Sequence, residues 1–506
     1  MTSGEKKPAA VASPHAGPGA DAPRPLPAPK SEPVSAGERN AACASSLATS
    51  HYPLTTNLKT LVVGLGKTGV SCARYLRAQG AWVAVTDTRA DPPGLEQVRR
   101  DLPEVAVFVG GFDPAAFAAA DRLVVSPGVP VATPLIRQAL ARGAEVIGDV
   151  ELFARAACAP ICAITGSNGK STVTTLLGLM ARRAGCRVRV GGNLGEPVLE
   201  LLDPTADLYV LELSSFQLET TPGLQTQAAV VLNISPDHLD RYPDLTAYRN
   251  AKARVYERAQ VAVVNRDDPA VAAMARTPER EIGFTLGVPV AGDYGLAGSD
   301  ADPWLYRGTE PLMRAAEVLI PGRHNLANAL AALALADACG LGLAPACEAL
   351  RTFPGLEHRS QLVVEHTGVR WYDDSKGTNP GATVAALDGL VSAGSSARVV
   401  LIAGGDGKGA DFAPLGPAVA RAARAVVLIG RDAPLIEAVL RDLIPPVPLI
   451  PAADMDEAVR RAAALAHPGD AVLLSPACAS FDMFDNYEHR GRVFADAVRR
   501  FVAWLL

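Results

Sequence analysis

Nowhere does the chain hold the ~18 consecutive apolar residues that a membrane span needs, so no span is expected. It also lacks a basic excess. Its formal charge is −5 at pH 7, which points away from nucleic acid and anionic membranes as partners. The eight cysteines lack metal-site spacing: Cys158 and Cys162 are the closest pair, and no second pair of thiols or histidines completes a zinc site. Free thiols in a reducing cytoplasm are therefore expected. Residues 1–56 lack the continuous apolar core of about 7–15 residues that marks a signal peptide. Rich in Ala, Pro, Ser and Gly, they can bury too little to offset their ordering entropy, and are expected to form a disordered extension outside the fold.

What remains is long enough for about three domains, and 49% hydrophobic with 20% charged residues suits globular structure. The organising stretch is Thr165-Gly166-Ser167-Asn168-Gly169-Lys170-Ser171-Thr172. An apolar strand, Ile161 to Ile164, breaks at a glycine-rich turn and re-emerges as a helix, Ser171 to Arg183, that Gly185 stops. This is the strand–loop–helix layout of a phosphate cradle. Small residues let backbone N–H groups approach an anion, and the helix N-terminus adds a positive dipole end. Lys170 supplies a point charge for the β/γ-phosphates and Ser171 a hydroxyl for Mg²⁺. The usual spacing wants Gly at the position of Ile164, so the loop is a shortened variant. An ordinary turn before a helix is the bland alternative, but Gly-Lys-Ser-Thr directly after a strand favours a nucleoside triphosphate.

Upstream, a strand from Lys59 to Val63 runs into Gly64-Leu65-Gly66-Lys67-Thr68-Gly69, and a second strand, Trp82 to Thr86, ends in Asp87. A G-x-G-x-x-G turn with an acid about 20 residues on is a dinucleotide fingerprint, and alone would suggest a nicotinamide-dependent oxidoreductase. The turn guarantees only a backbone-lined anion site, however, which a UDP pyrophosphate would also satisfy. The strand Arg122 to Val125 ends in Ser126-Pro127-Gly128-Val129-Pro130, again at the sheet edge where ligands sit. Downstream of the cradle, strands are expected at Val188 to Val190, Leu208 to Leu213, Ala229 to Ile234 and Val261 to Asn265, with a helix from Tyr248 to Tyr256. Glu212 closes one strand with a carboxylate that could hold the metal. In the last third, three strands end in the polar loops Asp373 to Pro380, Gly404 to Gly409 and Ser475 to Asp482. Their lysines and hydroxyls suit an amino acid with two carboxylates. Single residues have blander readings: a lone His is more often structural, and Lys408 could belong to a flexible turn.

Thr165 to Thr172, Glu212-Leu213-Ser214-Ser215-Phe216-Gln217-Leu218 and Asp237-His238-Leu239-Asp240-Arg241-Tyr242 together resemble the Mur ligases, with the glutamate-adding branch as the best match. The resemblance runs from about Asn57 to the C-terminus. It implies an α/β chain of three domains: a Rossmann-like UDP-binding domain over 57–148, a central parallel-sheet P-loop ATPase domain over 149–355 and a C-terminal Rossmann-like, glutamate-binding domain over 356–506. The implied reaction adds D-glutamate to UDP-N-acetylmuramoyl-L-alanine with ATP, through an acyl phosphate, in peptidoglycan precursor synthesis and thus cell wall biogenesis. A monomer is the expected state.

Residue by residue, the resemblance puts ATP on Gly166 to Thr172, Asn325, Asn328, Arg359 and Asp374. Two Mg²⁺ ions fall on Ser171, Glu212, His238 and a carbamylated Lys252. The UDP-substrate falls on Leu65, Thr68, Asp87, Thr88, Arg89, Ser126, Pro127, Gly128, Asn193 and His238. Glutamate falls on Thr378, Asp406, Lys408, Ser480, Phe481 and Tyr487, with Lys376 beside Lys170, Glu212, His238 and Lys252 among the catalytic residues. Asp406 is expected to orient Lys408 or the amine. The chain departs from the family at Met483, Asp485 and Tyr487, where Gln, Lys and Phe are the common choices. An L-glutamate-adding variant, a folylpolyglutamate synthetase, and a non-catalytic nucleotide-binding module are the other readings.

Overall fold

The computed structural model describes residues 57–505 except 275, 277, 278, 300, 301, 321 and 391–396, so the expectation for residues 1–56 lies outside the described residues. Residues 57–505 fall in one compact unit built on three sheets. In the first, β1 (Lys59–Val63), β2 (Trp82–Asp87), β3 (Ala106–Val109), β4 (Arg122–Val125) and β5 (Glu145–Ile147) lie all parallel in the order β3-β2-β1-β4-β5. Helix α1 (Lys67–Ala78) carries the chain from β1 to β2. Gly69 permits the close approach: a Cβ there would meet the Gly64 carbonyl at 2.0 Å. Strand order reverses between β1 and β4, and the crevice opens at their carboxyl ends.

The central sheet has nine strands: β6 (Ile161–Thr165), β7 (Val188–Gly192), β8 (Leu208–Glu212), β9 (Thr226–Val231), β10 (Ala259–Asn265), β11 (Arg280–Phe284), β12 (Tyr294–Ser299), β13 (Asp302–Arg307) and β14 (Glu310–Arg314). Their order is β14-β13-β12-β11-β10-β9-β6-β8-β7, parallel from β7 to β12 and antiparallel beyond. Uninterrupted apolar runs such as Ala228 to Val231 are buried on both faces, as a covered parallel sheet requires. Strand β9 begins and ends earlier than expected. Asn233 has left the ladder because its carbonyl accepts the Ser167 N–H at 2.9 Å and its side chain the Asn168 N–H at 2.8 Å. Helix α2 (Lys170–Arg183) leaves the phosphate loop, α3 (Leu245–Ala253) starts on an Asp244 cap, and α4 (Arg323–Ala338) lies buried against α2. The expected 248–256 helix is thus α3 followed by a 3-10 turn, Arg254–Tyr256.

In the third sheet β15 (Gln361–His366), β16 (Val369–Asp373), β17 (Val399–Gly404), β18 (Ala423–Ile429), β19 (Leu449–Pro451) and β20 (Ala471–Leu474) take the order β15-β16-β20-β17-β18-β19. Only β15 is antiparallel. Because β20 inserts between β16 and β17, the three polar loops after these strands emerge side by side. Helix α5 (Tyr487–Leu505) closes the chain. One apolar core joins the first domain to a face of the central sheet, through Leu65, Phe153, Tyr209 and Leu211. The opposite face packs against α2 and α4.

Candidate active site

At the carboxyl ends of β1 and β4 lies a cavity of about 500 Å³ walled by Thr68, Asp87, Thr88, Arg89, Ser126, Pro127 and Gly128 from the first domain and by Asn193 and Gln217 from the second. Asp87 is buried. Its carboxylate accepts the Leu65 N–H at 2.7 Å, the Arg89 N–H at 2.9 Å and two Arg89 guanidinium N–H groups at 2.9 and 2.7 Å. Burial opposes its ionisation, but these donors hold its pKa down to about 2. The acid that a dinucleotide reading would give to a ribose is therefore fully engaged within the protein. Leu65, expected at the ligand, has its side chain in the core and its backbone N–H on Asp87.

The phosphate loop sits after β6. Gly169 has φ 84°, and a Cβ there would come within 2.4 Å of the Asn328 side-chain oxygen, so glycine is required on both counts. Lys170 Nζ folds over the loop and donates to the Gly166 and Ser167 carbonyls at 3.0 and 2.9 Å. Lys252, 2% exposed, donates to the same Gly166 carbonyl at 2.9 Å and stacks 4.6 Å from the Tyr248 ring centroid. Burial lowers both lysine pKa values, Lys252's strongly, with the Lys170 charge as its second cause. The Ser167 hydroxyl, expected at ATP, is tied to the Ser235 backbone at 3.0 Å and to Tyr248 at 3.2 Å, so its side chain braces the loop. Glu212, 2% exposed at the end of β8, accepts an Asn193 N–H at 2.8 Å, while its Oε2 has no hydrogen-bond partner. Burial pushes its carboxyl up, but Lys170 and Asn193 hold it below the usual value. His238 (φ 56°) sets its ring 4.9 Å from Phe216. Its pKa is lowered, by burial above all, which favours the neutral imidazole.

Beside the loop a second cavity, about 270 Å³, receives Asn168, Gly169, Thr172, Asn325, Asn328, Arg359, Asp374 and Lys376. His324, in the same segment as Asn325 and Asn328, also lines it, and sequence reasoning missed Asn265, Phe284, Ile320 and Ala385 in its wall. Burial drops the His324 pKa to about 4. The third domain reaches across to the second: Arg359 donates to the Ser171 hydroxyl at 3.0 Å, and Asn379 to Asn168 at 3.2 Å and Asp237 at 3.4 Å. Asp374, buried under the Ser475 hydroxyl at 2.7 Å, has its pKa pushed up to about 7 by burial. Burial and the neighbouring Arg359 bring Lys376 down to about 8, and its ammonium lies 3.7 Å from the Tyr487 ring centroid.

The three polar loops of the third domain are stitched together. Gly404 N–H bonds the Pro476 carbonyl at 2.8 Å, Ala477 N–H the Gly377 carbonyl at 2.9 Å, and Asp406 and Ala479 exchange bonds at 3.0 and 2.8 Å. The 1% exposed Arg490 guanidinium ties the Ser375, Cys478 and Ala479 carbonyls from beneath. Thr378 and the buried Ser480 stand on these loops, and Phe481 is exposed, with Lys408 Nζ 5.6 Å from its ring. The Asp406 carboxylate reaches Lys408 at its backbone N–H, 3.0 Å away, and the same oxygen accepts the Arg431 guanidinium at 2.5 Å. Arg431 was missed in the sequence.

A cavity at the sheet edge, a glycine-rich loop at a helix start and a cluster of polar strand-end loops thus come from three successive α/β domains. Family comparison agrees. The description "Mur ligase MurD-like, N-terminal domain" matches residues 58–148, "Mur ligase middle domain" 164–336 and "Mur ligase, glutamate ligase domain" 358–478. The chain belongs to the Mur ligase family, the ATP-dependent ligases of peptidoglycan precursor synthesis. It is similar to the UDP-N-acetylmuramoylalanine--D-glutamate ligase of Nitrosococcus oceani, 54% identical over 445 residues that cover 88% of this chain and 97% of that protein. The enzyme of the same name from Pseudomonas putida is 53% identical over 437 residues, 86% and 96% of the two chains. MurF from Acinetobacter baumannii shares the fold at TM-score 0.56 and 19% identity, over 88% of this chain and 92% of that one. MurC from Thermotoga maritima does so at 0.54 and 19%, over 88% and 100%.

Proposed function

We propose that this chain joins D-glutamate to UDP-N-acetylmuramoyl-L-alanine, with ATP cleaved to ADP and phosphate. The observation that carries the reading is the third domain's grip on the phosphate loop of the second, through Arg359 on Ser171 and Asn379 on Asn168, together with a cavity suited to UDP that the first and second domains wall jointly. In this reading the first-domain loops hold the nucleotide end of the substrate, and Asn193 and Gln217 meet its sugar end. Its terminal carboxylate oxygen forms a bond to the γ-phosphorus as the β–γ bridging bond breaks, giving an acyl phosphate. Lys170 and Arg359 spread the charge of the phosphoryl group in transit. The amine of glutamate, held by Lys408, Thr378 and Ser480, then attacks the acyl carbon and phosphate leaves. Closure by the third domain excludes water that would hydrolyse the acyl phosphate.

Among the described residues no three His, Cys, Asp or Glu side chains cluster at metal-ligand spacing. Mg²⁺ needs no such cage, since it commonly takes one or two protein oxygens plus phosphate. The buried, unpartnered Glu212 Oε2 and the Ser171 hydroxyl are a donor set of that kind, with the neutral His238 imidazole for a second ion. When bound, Mg²⁺ would neutralise phosphate charge. Burial favours the uncharged amine of Lys252, the form that reacts with CO₂, and a carbamate there would add an anionic oxygen donor.

Phosphate release with UDP-N-acetylmuramoyl-L-alanine, comparing D-glutamate, L-glutamate and no amino acid, tests the reading. Release only with D-glutamate is expected. Release with L-glutamate, with folate in place of the nucleotide sugar, or with none of these would overturn it.

A further inference from the structure

Arg241 has no part in the reaction just described, yet it touches both of the sites that must cooperate. It follows His238 by three residues in a tight turn: the His238 carbonyl accepts the Arg241 and Tyr242 N–H groups at 3.0 and 3.1 Å. Its side chain is only 12% exposed. From the central domain it crosses to the first, donating to the Pro127 carbonyl at 2.7 Å and the Val129 carbonyl at 3.2 Å. Those carbonyls belong to the Ser126–Val129 loop that walls the 500 Å³ cavity. The same guanidinium lies 4.0 Å over the face of Phe216, whose edge meets the His238 ring at 4.9 Å. Glu219 steers it from 3.6 Å while accepting the Tyr242 hydroxyl.

We infer that Arg241 is a positioning residue that locks the nucleotide-binding loop of the first domain to the His238 platform of the second. A forked, planar cation is needed, because one group must bond two carbonyls and still stack on a ring. Lysine can do one of these at a time. Binding of the nucleotide end and alignment of the reacting end are thereby tied to one side chain. The inference rests on the proposed use of that cavity for the UDP moiety.

The test uses the full chain and two variants. Calorimetric titration with UDP alone is expected to show Arg241→Lys weakening binding about tenfold, as loss of a charge-assisted pair of bonds would. In steady-state assays the same variant should raise KM for the nucleotide sugar about tenfold and lower kcat, with KM for ATP and D-glutamate within twofold of the parent. Phe216→Leu removes the ring but leaves the carbonyl grip, so it should lower kcat with UDP affinity unchanged. A general structural role would lower kcat alone through a smaller active fraction. That result, unchanged UDP affinity in Arg241→Lys, or weakened UDP binding in Phe216→Leu would each overturn the inference. Lack of turnover by the parent would instead strike at the reaction itself, and the UDP titration would still decide the role of Arg241.

Discussion

Asp87→Asn isolates the charge that shapes the first-domain cavity. The carboxylate is 3% exposed and accepts four hydrogen bonds, and its pKa falls from 3.8 to about 2. A shift of that size corresponds to at most about 2.5 kcal/mol of folded-state stability at neutral pH. Its partner Arg89 is 53% exposed, and solvent screening trims the figure to about 1–1.5 kcal/mol. Since the folded pKa lies below the unfolded one, this stabilisation is fully present above about pH 4 and fades as the pH falls toward 2. Asparagine keeps the shape but loses the charge and one acceptor, and its amide N–H groups would face those of Arg89. Hydrogen–deuterium exchange of peptides covering β1 and β2 should therefore run about tenfold faster in the variant at pH 7, with the gap narrowing markedly at pH 3. A gap below twofold at pH 7, or one that persists unchanged at pH 3, would refute the electrostatic account.

Lys252→Met should abolish turnover without lowering the melting temperature, because the buried amine loses more by desolvation than it gains from one carbonyl. Turnover by Lys252→Ala should be partly restored by short carboxylic acids, and failure of that rescue with metal binding intact would count against a carbamate. Asp374 has a folded pKa raised to about 7, so its contribution to stability is complete below about pH 4 and is lost as pH rises through 7. Asp374→Asn should flatten that part of the urea-midpoint profile, and a parallel profile would exclude Asp374 as its source. Asn379→Ala removes the bonds to Asn168 and Asp237, each worth about 0.5–1.5 kcal/mol, and should raise KM for ATP about tenfold with little effect on UDP binding by calorimetry. The Asp485 side chain is 86% exposed and paired with His489 at 3.1 Å, so Asp485→Lys should leave KM for D-glutamate within twofold; a larger change would bring that loop into the site.

Legibility in the sequence follows how local each feature is. The two glycine turns and the strand-end loops of the third domain announce themselves within about ten residues, because backbone approach to an anion and exit from a sheet edge are short-range demands. The wall of the smaller cavity does not. Asn265, Phe284, Ile320 and Ala385 come from four separate elements, and only the fold brings them together. The Asn168–Asn379 pair spans 211 positions, beyond any spacing rule. Strands β12 to β14 escaped notice because Gly, Pro and charged residues blur their alternation. Leu232 to Ile234 misled in the opposite sense. An apolar run looked like more strand, whereas Asn233 within it had been diverted to hold the phosphate loop. The pairing of Asp87 with Arg89, two residues away, was the one overlooked feature with a local signal: an acid beside an arginine is poorly placed to bind a ribose.

Two amines converge on a single carbonyl at the heart of the site, since Gly166 accepts both Lys170 at 3.0 Å and Lys252 at 2.9 Å. Two full charges there would repel, and one must yield. Glu212 and Asp237 support both ammonium groups, but Lys252 is almost fully enclosed, whereas Lys170 is only partly buried. The asymmetry favours the charge on Lys170, where a polyphosphate would need it, and the uncharged amine on Lys252. Converting that amine to an anion would turn the neighbouring ammonium from a repulsive partner into an attractive one. The same burial that makes Lys252 unfavourable as a cation would fit it for such a modification, and so the phosphate loop and the buried lysine act as one electrostatic unit.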